Sequence, residues 1–152
     1  MTIKEYPRDE LAAQPIGAWT GQAYRLVVGA LRAQLAVEGL TQPHWWTLNH
    51  VAGHPDHWQR AALIERLTPY EDLGLDFNEV FDDLIRREWM IESAGAFTLT
   101  DAGQSALERA RNRNLLAHNQ MRAGIDIDDF VTTINVLRRV VANLGGDGNL
   151  PS

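Results

Sequence analysis

No cysteine occurs among the 152 residues. That excludes disulfides, thiol redox switches and thiolate metal ligands, and leaves only oxygen and histidine donors for a metal. Lysine is nearly absent as well: Lys4 stands alone beside arginine among the 14 basic residues. Positive charge is short overall, 14 basic against 20 acidic residues for a net charge of −6, so any basic surface has to be local. No run approaches the roughly 18 apolar residues that read as a membrane span. The opening MTIKEYPRDELAAQP has no apolar core of the signal-peptide kind, so the expected location is the cytoplasm. No phosphate-binding loop is present, and Ser93, Ser105 and Ser152 lack the context of a nucleophile elbow. The carboxylates fall on solvated helix faces, and no enzyme is expected. What is present is ordinary globular material, 45% hydrophobic and 22% charged, of a length suited to one domain with a real core over 1–152.

The chain is organised around residues 57–100. Ala61, Leu63, Ile64 and Leu67 recur at helical spacing, and Thr68-Pro69 stops that helix. Phe77, Val80, Phe81 and Leu84 then mark one apolar stripe of a second helix. Met90-Ile91-Glu92 and Ala96-Phe97-Thr98-Leu99 read as strands around the turn Ser93-Ala94-Gly95, with the glycine taking positive φ. Helix, turn, helix and hairpin outline a winged helix-turn-helix over about 41–100, a mostly α fold with a small β wing. Such an outline places its second helix in the major groove of duplex DNA. The charges oppose that reading. Between Arg60 and Glu92 four basic residues face nine acidic ones, a balance of −5 in a chain of −6.

Helices flank this core. Residues 1–14 read as a loose polar arm. A long helix runs from about Ile16 to Glu38 and ends at Gly39, a C′ glycine. Thr41 caps the next helix, with Pro43 in its first turn and the Trp45-Trp46 pair inside it. Thr100 caps a long arginine-rich helix from Asp101 to about Arg122. Asp126 caps the last helix, whose stripe is Phe130, Ile134, Leu137, Val141 and Leu144, and Gly145-Gly146 stops it; the tail DGNLPS is expected to fray. The helices over 16–38 and 101–145 are amphipathic beyond the needs of the winged core, and a second copy of the chain supplies the missing surface. A homodimer through Leu137, Val141 and Leu144 is expected.

Four residues are candidates for DNA contact. Arg86 and Arg87 end the reading helix and suit phosphate or guanine, Asn78 near its start suits adenine, and Arg60 suits phosphate. Each also has a plain structural role open to it, as a helix-terminal charge or a solvated residue. His50 and His54 lie at i, i+4, with His57, His44 and His118 also expected in reach, a spacing that suits zinc. No acid is fixed beside them, so no metal and no cofactor is assigned. Adjacent Trp45 and Trp46 point about 100° apart. One is expected in the core, and the other could line an aromatic ligand cavity with Trp19, Tyr24 or His50.

Taken together, the stretches GLTQPHWWTLNHVAG, LIRREWMIES, LTDAGQSALERAR and TTINVLRRVVANLGG resemble the MarR family of bacterial transcription regulators over nearly the whole chain. The resemblance implies a triangular homodimer joined by its terminal helices. It also implies binding to pseudo-palindromic operator DNA, relieved by small aromatic or phenolic ligands. The wing tip Ser93-Ala94-Gly95-Ala96 departs from the family pattern, where an Asp-x-Arg-type tip is basic. The polar face of the reading helix, Asp76, Glu79, Asp82 and Asp83, departs from it too. An alternative therefore stands beside the regulator: a dimer of the same fold, without DNA binding, serving as a small-molecule-binding or protein-interaction module.

Overall fold

The structure is a computed structural model that describes residues 3–150. Ser152 and the last residues of the expected frayed tail lie outside the described residues. Among these described residues seven α-helices and one two-stranded hairpin follow in the order α1 (Arg8–Ala12), α2 (Ile16–Val37), α3 (Gln42–Gly53), α4 (Arg60–Leu67), α5 (Phe77–Arg86), β1 (Met90–Ser93), β2 (Ala96–Leu99), α6 (Asp101–Arg122) and α7 (Ile127–Asn143). A 3₁₀ turn at Thr68–Tyr70 follows α4. The chain divides inside α6, between Ala117 and His118, into two compact units. The stretch expected as a loose arm contains α1, where the Leu11 N–H bonds the Pro7 carbonyl at 3.1 Å. Pro7 needs no N–H there, and Asp9 and Glu10 in the first turn suit the helix dipole.

Helix ends in the first unit are set by local chemistry. α2 stops in a Schellman turn: Leu40 N–H bonds the Leu35 carbonyl and Gly39 N–H the Ala36 carbonyl, both at 3.0 Å, with Gly39 at φ +67. Leu35 and Leu40 are buried at this corner, the apolar contact that accompanies the motif. α5 starts on Asp76, whose carboxylate accepts from the Asn78 N–H at 2.8 Å. It ends in a second Schellman turn, Trp89 N–H to the Leu84 carbonyl at 3.0 Å and Glu88 N–H to that of Ile85 at 2.9 Å. Here the left-handed residue is Glu88, at φ +59, with no glycine to relieve its Cβ.

The hairpin pairs Met90 with Leu99, Ile91 with Thr98, Glu92 with Phe97 and Ser93 with Ala96. Ser93 therefore belongs to the strand, not the turn. The loop is Ala94-Gly95 alone, at φ +51 and +80, the two positive values of a type I′ turn whose hand matches strand twist. Residues facing inward from α3, α4, α5 and both strands meet in one core around Leu48, Leu63, Phe81, Leu84, Met90 and Phe97, all fully buried. Phe81 and Phe97 meet edge to face at 5.0 Å. α6 starts hard against this core: its cap Thr100 donates from its backbone N–H to the Trp89 carbonyl at 3.0 Å. A Cβ on Gly103 would stand 1.9 Å from that same oxygen, so no other residue fits there.

In the second unit, Asp126 caps α7 by accepting from the Asp128 N–H at 2.8 Å. The helix ends on Gly145, at φ +86. No residue of α7 is buried.

Candidate nucleic-acid interface

α5 buries Phe77, Val80, Phe81 and Leu84 and leaves Asn78, Glu79, Asp82 and Arg86 exposed. The apolar stripe thus turns a mostly acidic face outward. What surrounds that face is a set of ion pairs, and three arginines that the sequence offers to DNA are already engaged in it.

Arg60, at the start of α4, lies where α5 meets the wing. Its Nη2 donates to Asp82 at 3.0 Å and to Glu92 on β1 at 2.8 Å, and its Nη1 donates to the Asn78 side-chain oxygen at 3.2 Å. The guanidinium also lies 5.5 Å from the Phe81 ring centre and 5.6 Å from that of Phe97. The hydrogen bond to Glu92 leads in pushing its pKa up against the opposing effect of burial. Arg60 therefore ties α5 to the wing and packs on the core.

Asp83 is the hub of a second set. It receives Arg86 from the next turn of α5, Arg87 at 2.7 Å and the His44 Nε2 at 3.0 Å. Burial alone would raise the Asp83 carboxyl, but the hydrogen bonds from Arg86, Arg87 and His44 outweigh it, and the net shift is downward. His44 is buried. Its Nδ1 faces the Thr41 hydroxyl at 2.7 Å and accepts from the Thr41 N–H at 3.3 Å, so Nε2 carries the proton given to Asp83. Burial leads in lowering the His44 pKa, against the opposing pull of Asp83. Arg87 also donates to the Gly39 carbonyl at 3.0 Å and stacks 5.0 Å from the Trp89 ring centre. One carboxylate thus joins α5 to the start of α3 and to the corner after α2.

These sets sort the predicted DNA residues. Arg60 and Arg87 are part-buried tethers, with side chains 28% and 30% exposed, whereas that of Arg86 is 72% exposed. Asn78 is exposed, and its side-chain oxygen is occupied by Arg60. Sequence reasoning missed Asp83 and His44 as a pair, because nothing in their spacing of 39 residues announces it. The Thr41 cap placed His44 at N3, where its ring reaches back to the cap; that was the available signal.

Of the residues expected around an aromatic cavity, His50 and Trp46 share a hydrogen bond, and Trp19 and Tyr24 bond to residues outside the set. Trp19 is exposed and donates to the Gln14 side chain at 3.3 Å. Tyr24 donates to Asp72 at 3.1 Å, a bond that leads in raising its pKa. Of Trp45 and Trp46 one is expected in the core; both pack part-buried against it, while Thr47, Leu48 and Val51 fill the inward positions of α3. Trp46 meets Tyr70 edge to face at 6.3 Å. The His50 Nδ1 donates to the Trp46 carbonyl at 2.9 Å, and His50, His54 and His57 each pack a ring against Trp58. Among the described residues no group of three or more histidines and acids is placed to hold a metal ion.

Comparison with known proteins yields no matching family model and no matching curated protein. Solved structures do match. The Mycobacterium tuberculosis MarR family protein Rv2887, solved in complex with DNA, is 19% identical, with a TM-score of 0.64 over 88% of this chain and 99% of that one. The MarR family transcriptional regulator from Silicibacter pomeroyi is 18% identical, with a TM-score of 0.69 over 91% of this chain and 99% of its own. The fold is that of the MarR-family regulators. Reduced MarR from E. coli agrees, at 18% identity and a TM-score of 0.65 over 84% and 94% of the two chains. Rv2887 in complex with salicylic acid matches at a TM-score of 0.56 and 19% identity, over 88% and 100%. In this MarR fold α4 and α5 are the helix pair and β1–β2 the wing.

Proposed function

We propose that the chain is a MarR-type transcriptional regulator that binds duplex operator DNA as a homodimer and answers to a small ligand. One observation carries this reading: the outer face of α5 lies open beside the wing, in a fold shared with a MarR family protein solved in complex with DNA. The homodimer is supported by Val141 and Leu144, 44% and 84% exposed on α7 and its cap, beside part-buried Leu137. No helix among the described residues is long and apolar enough to cross a membrane. The ligand has its support in the neighbour solved with salicylic acid.

Within this reading Arg86 is the DNA contact. If a phosphate takes Arg86, Asp83 keeps Arg87 and His44, so no buried charge is stranded. Releasing Arg60 would instead strip two carboxylates of their shared partner. With one arginine per protomer neutralising phosphate, a dimer has a salt slope of about −2. Selection of genomic fragments at low salt, followed by titration of salt on the enriched site, checks this. Arg86→Ala should flatten the slope to near zero, and Glu79→Gln with Asp82→Asn should tighten binding to every sequence. The internal pairing of Arg60, Arg86 and Arg87 is the specific observation that favours the protein-interaction module instead. If neither the natural chain nor the Glu79/Asp82 variant enriches any fragment, the interaction module replaces the regulator.

A further inference from the structure

An open cleft of about 370 Å³ lies along the outer side of α4, lined by Trp58, Ala62, Glu65, Arg66, Pro69 and Tyr70. Its size is within the range of small-molecule sites, roughly 300–1,000 Å³. No α5 residue, and none of Trp19, Tyr24 and Trp45, is among its lining residues. Two aromatic residues lie on its wall, Trp58 part-buried and Tyr70 57% exposed. A ring that meets Trp46 on one side while remaining this exposed has surface left to offer a ligand. Glu65 brings a carboxylate with no hydrogen-bond or ion-pair partner among the described residues, whereas Arg66 on the same wall has a partner of its own.

We propose that this cleft between Trp58 and Tyr70 is a binding site for a small planar aromatic cation. Aromatic faces attract cations through their quadrupole, and more strongly as water is excluded. Glu65 adds a full negative charge, and the −5 balance of residues 60–92 raises the local concentration of cations while disfavouring aromatic acids. Pro69 and Ala62 supply flat apolar contact without competing donors. The occupant would touch both ends of the reading apparatus. Trp58 accepts the Phe97 N–H of β2 at 2.9 Å and donates from its indole to the His50 carbonyl at 3.1 Å. Tyr70 closes the turn from which the chain enters α5. The proposal gives the ligand-responsive reading a ligand class, and rests on that reading only for its regulatory consequence.

The test is titration calorimetry of the full chain at pH 8 with three probes: N-methylquinolinium, its neutral isostere quinoline, and salicylate. N-methylquinolinium should bind about tenfold tighter than quinoline, with salicylate no tighter than quinoline. Glu65→Gln should bring the first two within about twofold of each other. Tyr70→Leu should weaken the cation about tenfold, and Ala62→Phe, on an exposed helix position, should block the cleft if Tyr70→Leu fails to fold. No measurable binding of the cation, stronger binding of salicylate, or a cation preference unchanged by Glu65→Gln would overturn the proposal. Fragment selection on DNA is scored separately. Failed selection with cation binding intact overturns the regulator and leaves the cleft standing.

Discussion

Asp83 is the residue on which the local arrangement turns. It sits on the most acidic helix, yet its charge is spent inward on Arg86, Arg87 and His44, so it repels an approaching polyanion less than Glu79 does. Asp83→Asn should cost about 1–3 kcal/mol of stability by leaving part-buried donors poorly matched, measured by urea unfolding. The pH dependence separates its two sides. Because the Asp83 pKa is lowered in the fold, its stabilisation is complete above its unfolded value near about 4 and is lost as acid protonates the folded carboxylate. The His44 pKa is also lowered, so the unfolded chain takes up that proton first. Stability should then begin to fall as pH drops through about 6.5, well before any carboxylate titrates. Urea midpoints between pH 7.5 and 5.5 check it: His44→Asn should flatten the slope in that window, and an unchanged slope would assign it to other groups.

At the scale of elements, two turns bend against their side chains. Glu88 at φ +59 and Ala94 at φ +51 occupy a conformation that costs an L-residue about 1–2 kcal/mol. Glu88→Gly and Ala94→Asn should each raise stability by roughly 0.5–1 kcal/mol, read as higher thermal midpoints, since glycine and asparagine accept left-handed backbone cheaply. A fall in midpoint for Ala94→Asn would mean that the loop does not have the I′ geometry. These positions also show what sequence can announce. The ends of α2 and α7 were legible because Gly39 and Gly145-Gly146 are glycines placed one residue past a periodic stripe. The end of α5 carries no such marker in Glu88, and Ser93 reads as turn in the sequence because one glycine does not reveal a two-residue loop. The fold was readable because apolar spacing repeats over many residues. The interface was not, because Arg60 meets Glu92 across 32 positions and His44 meets Asp83 across 39, and pairs that distant leave no local pattern.

For the whole molecule the open question of surface is α7, which buries none of its residues. If a second copy covers it, light scattering at micromolar concentration should report a dimer. Val141→Asp with Leu144→Asp should give a folded monomer, since each charge pressed into an apolar interface costs several kcal/mol. A monomeric natural chain would end the dimer reading. The outward acids of α5 have a further consequence, one of timing. A duplex approaching Glu79 and Asp82 gains no electrostatic guidance, and Arg86 becomes available only after it leaves Asp83. Encounter therefore stays in the unsteered range of about 10⁵–10⁷ M⁻¹s⁻¹, and falls short of the rates that a basic surface reaches. If the chain binds an operator as proposed, it arrives there slowly, and how long it stays, rather than how fast it finds the site, sets the occupancy.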